Sequence, residues 1–330
     1  MFVKEQKRQR VLALDILKFL AVFFVINSHS DSLYPTEYRA LATGGTIGDG
    51  LFLFCSGYAL FLGQKRSFSD YFKRRIQRIW PSLFVSVVVL ALLYHFRVHL
   101  VDFIGRSFIR ALFVYYILIY FINRYLSKQL KPLMISLAVV SVVAYAILYP
   151  QLVVKRGVHP EVAMYYFKWM PYFCFMLLGL WASKQKEKNM NNMWLLLLFS
   201  LVGIAIFYII QFGSKHLSWF APFIFLSIFP LLWSIRYLFD VCSGAWAKKM
   251  MQNRFFYFII MLIGGLCLEV YLVQYDIIAY ESSTSWPVNL LKVFLKSLVC
   301  AYIVRCLARF FLQTLRTERY EWKEMISLKT

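Results

Sequence analysis

A chain of 330 residues that is 61% apolar, 19% aromatic and only 16% charged, with a mean hydropathy of +0.61, excludes an ordinary soluble domain, which carries about a quarter charged residues and cannot hide this much apolar surface. The net charge of +21 would suggest nucleic acid on a soluble protein. Here the basic residues fall in short clusters between apolar runs, which is the pattern of membrane topology rather than of a nucleic-acid-binding face.

The first apolar run follows basic Lys4 to Arg10 and so imitates a signal peptide. Asp15 and Lys18 interrupt it and no small-x-small cleavage site follows, so it reads as a retained first helix. A membrane-crossing helix needs roughly 20 mostly apolar residues. On that criterion the expected spans, in chain order, are Val11–Asn27, Gly45–Leu62, Ile79–Phe96, Phe108–Ile122, Pro132–Leu148, Val162–Trp181, Met193–Phe212, Leu217–Ile235, Phe255–Ala279 and Val288–Leu312. The expectation is an all-α bundle of about ten transmembrane helices.

The connecting segments set its orientation. The odd-numbered gaps hold Arg39, Arg97, Arg106, Lys155, Arg156 and Lys215, about six basic residues. The termini and even-numbered gaps hold about 24, among them Lys73, Arg74, Arg75 and Arg78. Strict alternation of this kind places both termini on the cytoplasmic side. No internal repeat of the inverted-transporter type stands out, and no connection is long enough for a soluble domain. The chain therefore reads as one membrane domain over 1–330.

Polar residues inside apolar helices are costly and are functional candidates. In the first span Asp15 precedes Lys18 by three residues and can pair with it. Lys18 and His29 are eleven residues, about three turns, apart and share a face ~16 Å long. Lys18 also suits a lysine snorkelling to the interface, and His29 an interfacial residue of the polar run Asn27–Asp31. The basic cluster at 73–78 puts Arg74, Arg75 and Arg78 on one helical face. Guanidinium groups fit phosphate well, while anchoring to anionic lipid is the simpler use of such charge.

In the second span Gly48, Gly50, Ser56 and Gly57 permit close helix packing, and Asp49 is either a site residue or a solvated end. In the ninth span Glu269 lies near mid-membrane with Asp276 two turns on. A buried glutamate needs a partner or a proton, which Lys168, Lys292 or Lys296 could supply. Cys55, Cys174, Cys242, Cys267, Cys300 and Cys306 form no CxxC pair and gather no histidines, so no metal site is expected. Most lie inside apolar runs, where a thiol packs as a small hydrophobe.

Taken together, these segments resemble acyltransferase family 3, bacterial membrane acyltransferases. Leu14-Asp15-Ile16-Leu17-Lys18 running to His29 looks like its basic-residue, ten-residue, histidine motif. The stretch ending Ser56-Gly57-Tyr58 looks like its aromatic-rich segment, and Arg75 and Arg78 look like its Arg-x-x-Arg pair. Cys267-Leu268-Glu269-Val270-Tyr271-Leu272-Val273-Gln274 is similar to its late Ser-Tyr-x-x-Tyr-Leu-x-His segment, with Cys267, Leu268 and Gln274 as departures. Gly50 stands where the family often has Asp.

The resemblance implies an acyltransferase of the bacterial cytoplasmic membrane. It would transfer an acyl group, usually acetyl, from cytoplasmic acyl-CoA to a hydroxyl of a surface polysaccharide or its lipid-linked precursor. His29 would be the general base, and Lys18, Arg75 and Arg78 would hold the donor. Asp15, Asp49, Ser56, Glu269 and Tyr271 are possible supporting residues. The expected partners are acyl-CoA, the glycan acceptor and membrane lipid; acetyl-CoA enters as a substrate and no cofactor is permanently bound. A non-enzymatic transporter or flippase for glycan lipids, or a scaffold with degenerate motifs, is the alternative.

Overall fold

The structure, a computed structural model, describes residues 10–61, 67–95, 97–185, 192–281, 286–315 and 319–327. The basic residues Lys4, Lys7, Arg8, Lys65, Arg66, Lys186, Lys188, Arg316 and Lys329, and the expected helix ends Leu62 and Phe96, lie outside these. Among the described residues the regular elements are all helices, and each of the ten expected segments falls on a helix or a pair of helices.

The first two segments are α1 (Leu12–His29) and α2 (Gly45–Phe61). The third is α3, which starts at Phe68 rather than Ile79 and runs to Tyr94. Ser67 caps it by accepting from the Asp70 amide at 3.1 Å, which satisfies one of the free first-turn donors. The basic cluster is therefore the first three turns of this helix rather than a separate segment before it. Pro81 sits within it and lacks the N–H that would bond to the Gln77 carbonyl.

Next come α4 (Ser107–Tyr125) and α5 (Leu130–Tyr149). The sixth segment is broken at Lys168 into α6 (Pro160–Phe167) and α7 (Trp169–Lys184). After α8 (Met193–His216), the eighth segment opens as a 3-10 helix (Ser218–Ser227) before α9 (Ile228–Ser243), and a short α10 (Ala245–Met250) follows. The ninth segment is bent by 66° between α11 (Arg254–Gly265) and α12 (Cys267–Ala279). The tenth is α13 (Val288–Thr314), and a short α14 (Trp322–Ile326) closes the described chain.

Among the described residues, six helical spans are long and apolar enough to cross a membrane, or seven if the bent α11–α12 pair is one, against the about ten expected. Helix α2 has 17 residues and is short for a straight crossing. Lys168 interrupts the α6–α7 segment, and α13 carries Lys292, Lys296, Arg305 and Arg309. The protein is a multi-pass membrane protein whose outer faces are apolar. On α5, Ile135, Val139, Val143 and Ile147, spaced four apart, are all half or more exposed, a stripe that suits lipid.

Helix α1 is central and packs against α2, α9, α11 and α12. Close backbone approaches fix two of the neighbours. A Cβ on Gly57 of α2 would lie 1.9 Å from the Met176 carbonyl oxygen of α7, and one on Gly179 of α7 would lie 2.1 Å from that of Phe54. Small residues at such crossings let helices pack without a hydrophobic driving force. On the other side of α1, a Cβ on Gly264 would lie 2.6 Å from the Asp15 carbonyl oxygen, so α11 is pressed against the Asp15–Lys18 turn. Helix α13 packs on α3 and α12, which brings the basic end of α3 against Arg305 and Arg309.

Candidate functional site

Two polar clusters share the face of α1 that runs from Lys18 to His29. The first surrounds a cavity of about 380 Å³ at the Lys18 end. Lys18 of α1, Ser56 of α2, Arg75 and Arg78 of α3, and Glu269 of α12 all line it, so five side chains singled out from distant sequence segments meet at one place. Arg74 does not line it: on this helix Arg75, half-buried, and Arg78, still exposed, border the cavity, not all three arginines.

Arg75 lies over the rings of Tyr71 and Tyr116, its guanidinium carbon 5.4 and 5.7 Å from the two centroids. This contact suits the flat, weakly hydrated guanidinium. Two further cations, Arg305 and Arg309 of α13, complete the wall. Among the described residues, five basic side chains thus face one carboxylate.

Asp15 is buried next to Lys18, outside the cavity lining. It accepts from Arg10 at 2.6 and 3.1 Å and lies 3.9 Å from the Lys18 ammonium. Its carboxylate raises the Arg10 pKa. Glu269 accepts from the Ser82 hydroxyl at 3.1 Å and faces Arg305 at 4.0 Å. The expected lysine partners do not serve it. Lys168 lies instead among the rings of Tyr165, Trp169 and Tyr172, 4.4 to 5.2 Å from their centroids. Lys292 is exposed, and Lys296 pairs with Glu281.

The second cluster is built on His29 at the other end of α1. Its Nε2 is 2.5 Å from the Tyr275 hydroxyl, and its Nδ1 is buried with no hydrogen-bond partner. Tyr275 in turn lies under Arg106, whose guanidinium carbon is 4.2 Å from the ring centroid. Arg106 donates to both Asp276 oxygens at 3.1 Å, so an ion pair, an aromatic ring and an imidazole form one row. Gln274 is fully buried beside His29, yet neither its amide nitrogen nor its oxygen has a hydrogen-bond partner of good geometry.

The loop after α1 folds back over this end. Tyr34, whose phenol burial pushes its pKa up, donates to Asn27 at 2.6 Å, and the Asn27 amide donates to the Leu41 and Thr43 carbonyls at 2.8 and 3.0 Å.

Between the clusters runs a narrow space of about 10 Å³ lined by Ala21, Val22 and Val25 of α1, with Asp49, Phe52, Cys267 and Tyr271. Phe52 and Cys267 also line the larger cavity. Tyr271 also lines a third cavity of about 270 Å³ that contains Arg106 and Asp276. The route from Lys18 toward His29 is therefore marked out but pinched, since a void of this size holds at most one water. Asp49 faces this space, whereas Gly50 packs against Ile235 and Phe175, so of the two positions it is 49 that belongs to the site.

Sequence reading missed Arg305, Arg309, Ser82, Arg106 and Tyr275. Arg305 is a basic residue in an apolar helix and answers to the rule that singled out Lys18. Tyr275 lies one turn beyond Tyr271 on the same face. Arg106, assigned to a connecting loop, gave no sign of its position over Tyr275.

A family model described as an acyltransferase domain matches residues 11–309, a stretch that contains Lys18, His29, Arg75, Arg78, Glu269, Tyr275 and Arg305. Comparison with curated proteins gives no match, and neither does comparison with solved structures.

Proposed function

Because the chain belongs to acyltransferase family 3, matched over residues 11–309, we infer that it transfers an acyl group, acetyl in the simplest case, from cytoplasmic acyl-CoA to a hydroxyl of a surface polysaccharide or its lipid-linked precursor. The donor phosphates would sit in the cavity of Lys18, Arg75 and Arg78, where charge-assisted hydrogen bonds from guanidinium groups suit them. The pantetheine arm would follow the face of α1 past Val22 and Val25 and deliver its thioester to His29.

The observation that carries this reading is the state of the His29 ring. One nitrogen is held by Tyr275 and the other, beside Gln274, is buried with no hydrogen-bond partner of good geometry, which leaves it available as a general base. With Nε2–H donating to the Tyr275 oxygen, Nδ1 keeps its lone pair for the acceptor. Nδ1 takes the proton of the acceptor hydroxyl as its oxygen attacks the thioester carbonyl carbon. The carbon–sulfur bond then breaks, and the imidazolium returns the proton to the departing thiolate, leaving an O-acyl ester and free CoA.

The transporter reading is less well supported. A transporter has no use for the guanidinium-lined cavity at Lys18, and the passage between the clusters, which must open for the slender pantetheine arm, would have to open further for a sugar. The test is transfer of labelled acetyl from acetyl-CoA to extracted surface glycan by purified protein. Transfer by the wild type that vanishes in Arg75→Ala at low donor concentration and returns at high concentration is the expected result. Wild-type protein that binds no acetyl-CoA rejects the reading.

A further inference from the structure

The wall of the Lys18 cavity that belongs to α13 has no place in the motifs that identified the site. Arg305 is buried at 6% exposure and lines the cavity, and its Nη1 has no hydrogen-bond partner. Its contact with Glu269, 4.0 Å from Nε, is far longer than the 2.7–2.9 Å of a formed charge-assisted hydrogen bond. Leaving a buried guanidinium donor unpaired is costly, and the arrangement makes physical sense if a ligand completes it.

Glu269 presents the matching vacancy. Its Oε1 accepts from Ser82, while its Oε2 is buried and unpaired. Arg309, four residues on and therefore on the same face, also lines the cavity while donating to the Glu324 carbonyl at 2.7 Å.

We propose that Arg305 is a donor-binding residue: across the cavity from Arg75 and Arg78, its free Nη1 takes a phosphate oxygen of the acyl-CoA, while Glu269 Oε2 accepts an N–H or O–H of the same molecule. The proposal rests on the donor reading above and deepens it. The cavity becomes a two-walled clamp, with α3 on one side and α13 on the other, that grips a ligand carrying anionic oxygens and hydrogen-bond donors close together. Coenzyme A combines the two, with phosphates next to the amides and hydroxyl of its pantetheine arm.

The test compares binding of acetyl-CoA with that of S-acetyl-pantetheine, which lacks the nucleotide phosphates, by the full chain purified in detergent micelles. The wild type should prefer acetyl-CoA, and Arg305→Ala should lose that preference at least tenfold while holding S-acetyl-pantetheine unchanged. Arg305→Lys keeps the charge without the planar fork and should fall between the two, which keeps the test decisive if the alanine variant does not fold.

Acetyl-CoA binding by Arg305→Ala at the wild-type level, with Arg75→Ala still impaired, overturns the role of Arg305 and leaves the donor reading standing. No acetyl-CoA binding by the wild type overturns both. Phosphatidylglycerol added to the micelles should not displace acetyl-CoA. Displacement that depends on Arg305 would assign the guanidinium to a lipid headgroup and overturn the proposal.

Discussion

The Tyr275 hydroxyl lies 2.5 Å from His29 Nε2, with the two rings 4.0 Å apart, although the residues are 246 positions apart in sequence. This bond decides which imidazole nitrogen is left free. Tyr275→Phe keeps the ring and the Arg106 contact and removes only the oxygen. The maximal rate of acyl transfer should drop roughly tenfold, the equivalent of about 1.4 kcal/mol and typical of one hydrogen bond to an ionisable group. The KM for acetyl-CoA should stay the same, because the phenol touches His29 and not the donor. Steady-state kinetics on purified protein checks this.

Asp276 acts at one further remove. It fixes Arg106 through two 3.1 Å contacts, and Arg106 covers the Tyr275 ring. Asp276→Asn keeps the shape but weakens the clamp, so the rate should fall by a smaller factor, about threefold, and the effect should largely disappear in a Tyr275→Phe background. A double-mutant cycle measures the coupling.

The pinch between the two clusters predicts a separation of binding from transfer. Val22 lines the narrow space but not the Lys18 cavity. Val22→Phe should reduce transfer at least tenfold while acetyl-CoA affinity stays within about twofold, since overpacking there costs ~1–3 kcal/mol at the passage and leaves the cationic walls alone. Equilibrium binding and turnover, measured on the same preparation, distinguish this from general misfolding.

Gly179 meets the Phe54 carbonyl oxygen so closely that any side chain must separate α7 from α2. Gly179→Val should lower the melting temperature of the detergent-solubilised protein by several degrees, as expected for a loss of ~3 kcal/mol. The control is Ile206→Val, on the apolar surface of α8 at 41% exposure, which should leave the melting temperature where it is.

Much of this was readable from the chain because the signals were local. Apolar runs located every long helical segment, and the resemblance to the family's motifs marked Lys18, Arg75 and Arg78, which line one cavity, and His29 at the far end of the same helix as Lys18. Two kinds of feature escaped. Breaks such as the 66° bend after Gly265 and the interruption at Lys168 leave hydropathy almost unchanged, so about ten spans were expected where six or seven qualify among the described residues.

Pairings between distant helices escaped as well. Glu269 was recognised as needing a partner, but periodicity within α12 cannot point to Arg305 on α13 or Ser82 on α3. The same holds for Tyr275 and Arg106, whose roles come only from the packing of α12 against α1 and the position of the segment before α4.

The most direct measurement is single-turnover transfer from acetyl-CoA to extracted glycan by purified His29→Ala, with donor binding measured in parallel. The account predicts unchanged acetyl-CoA affinity and a rate reduced roughly 10²- to 10⁴-fold, the usual contribution of a positioned general base. A His29→Ala protein that binds the donor and acylates the glycan at the wild-type rate would contradict it.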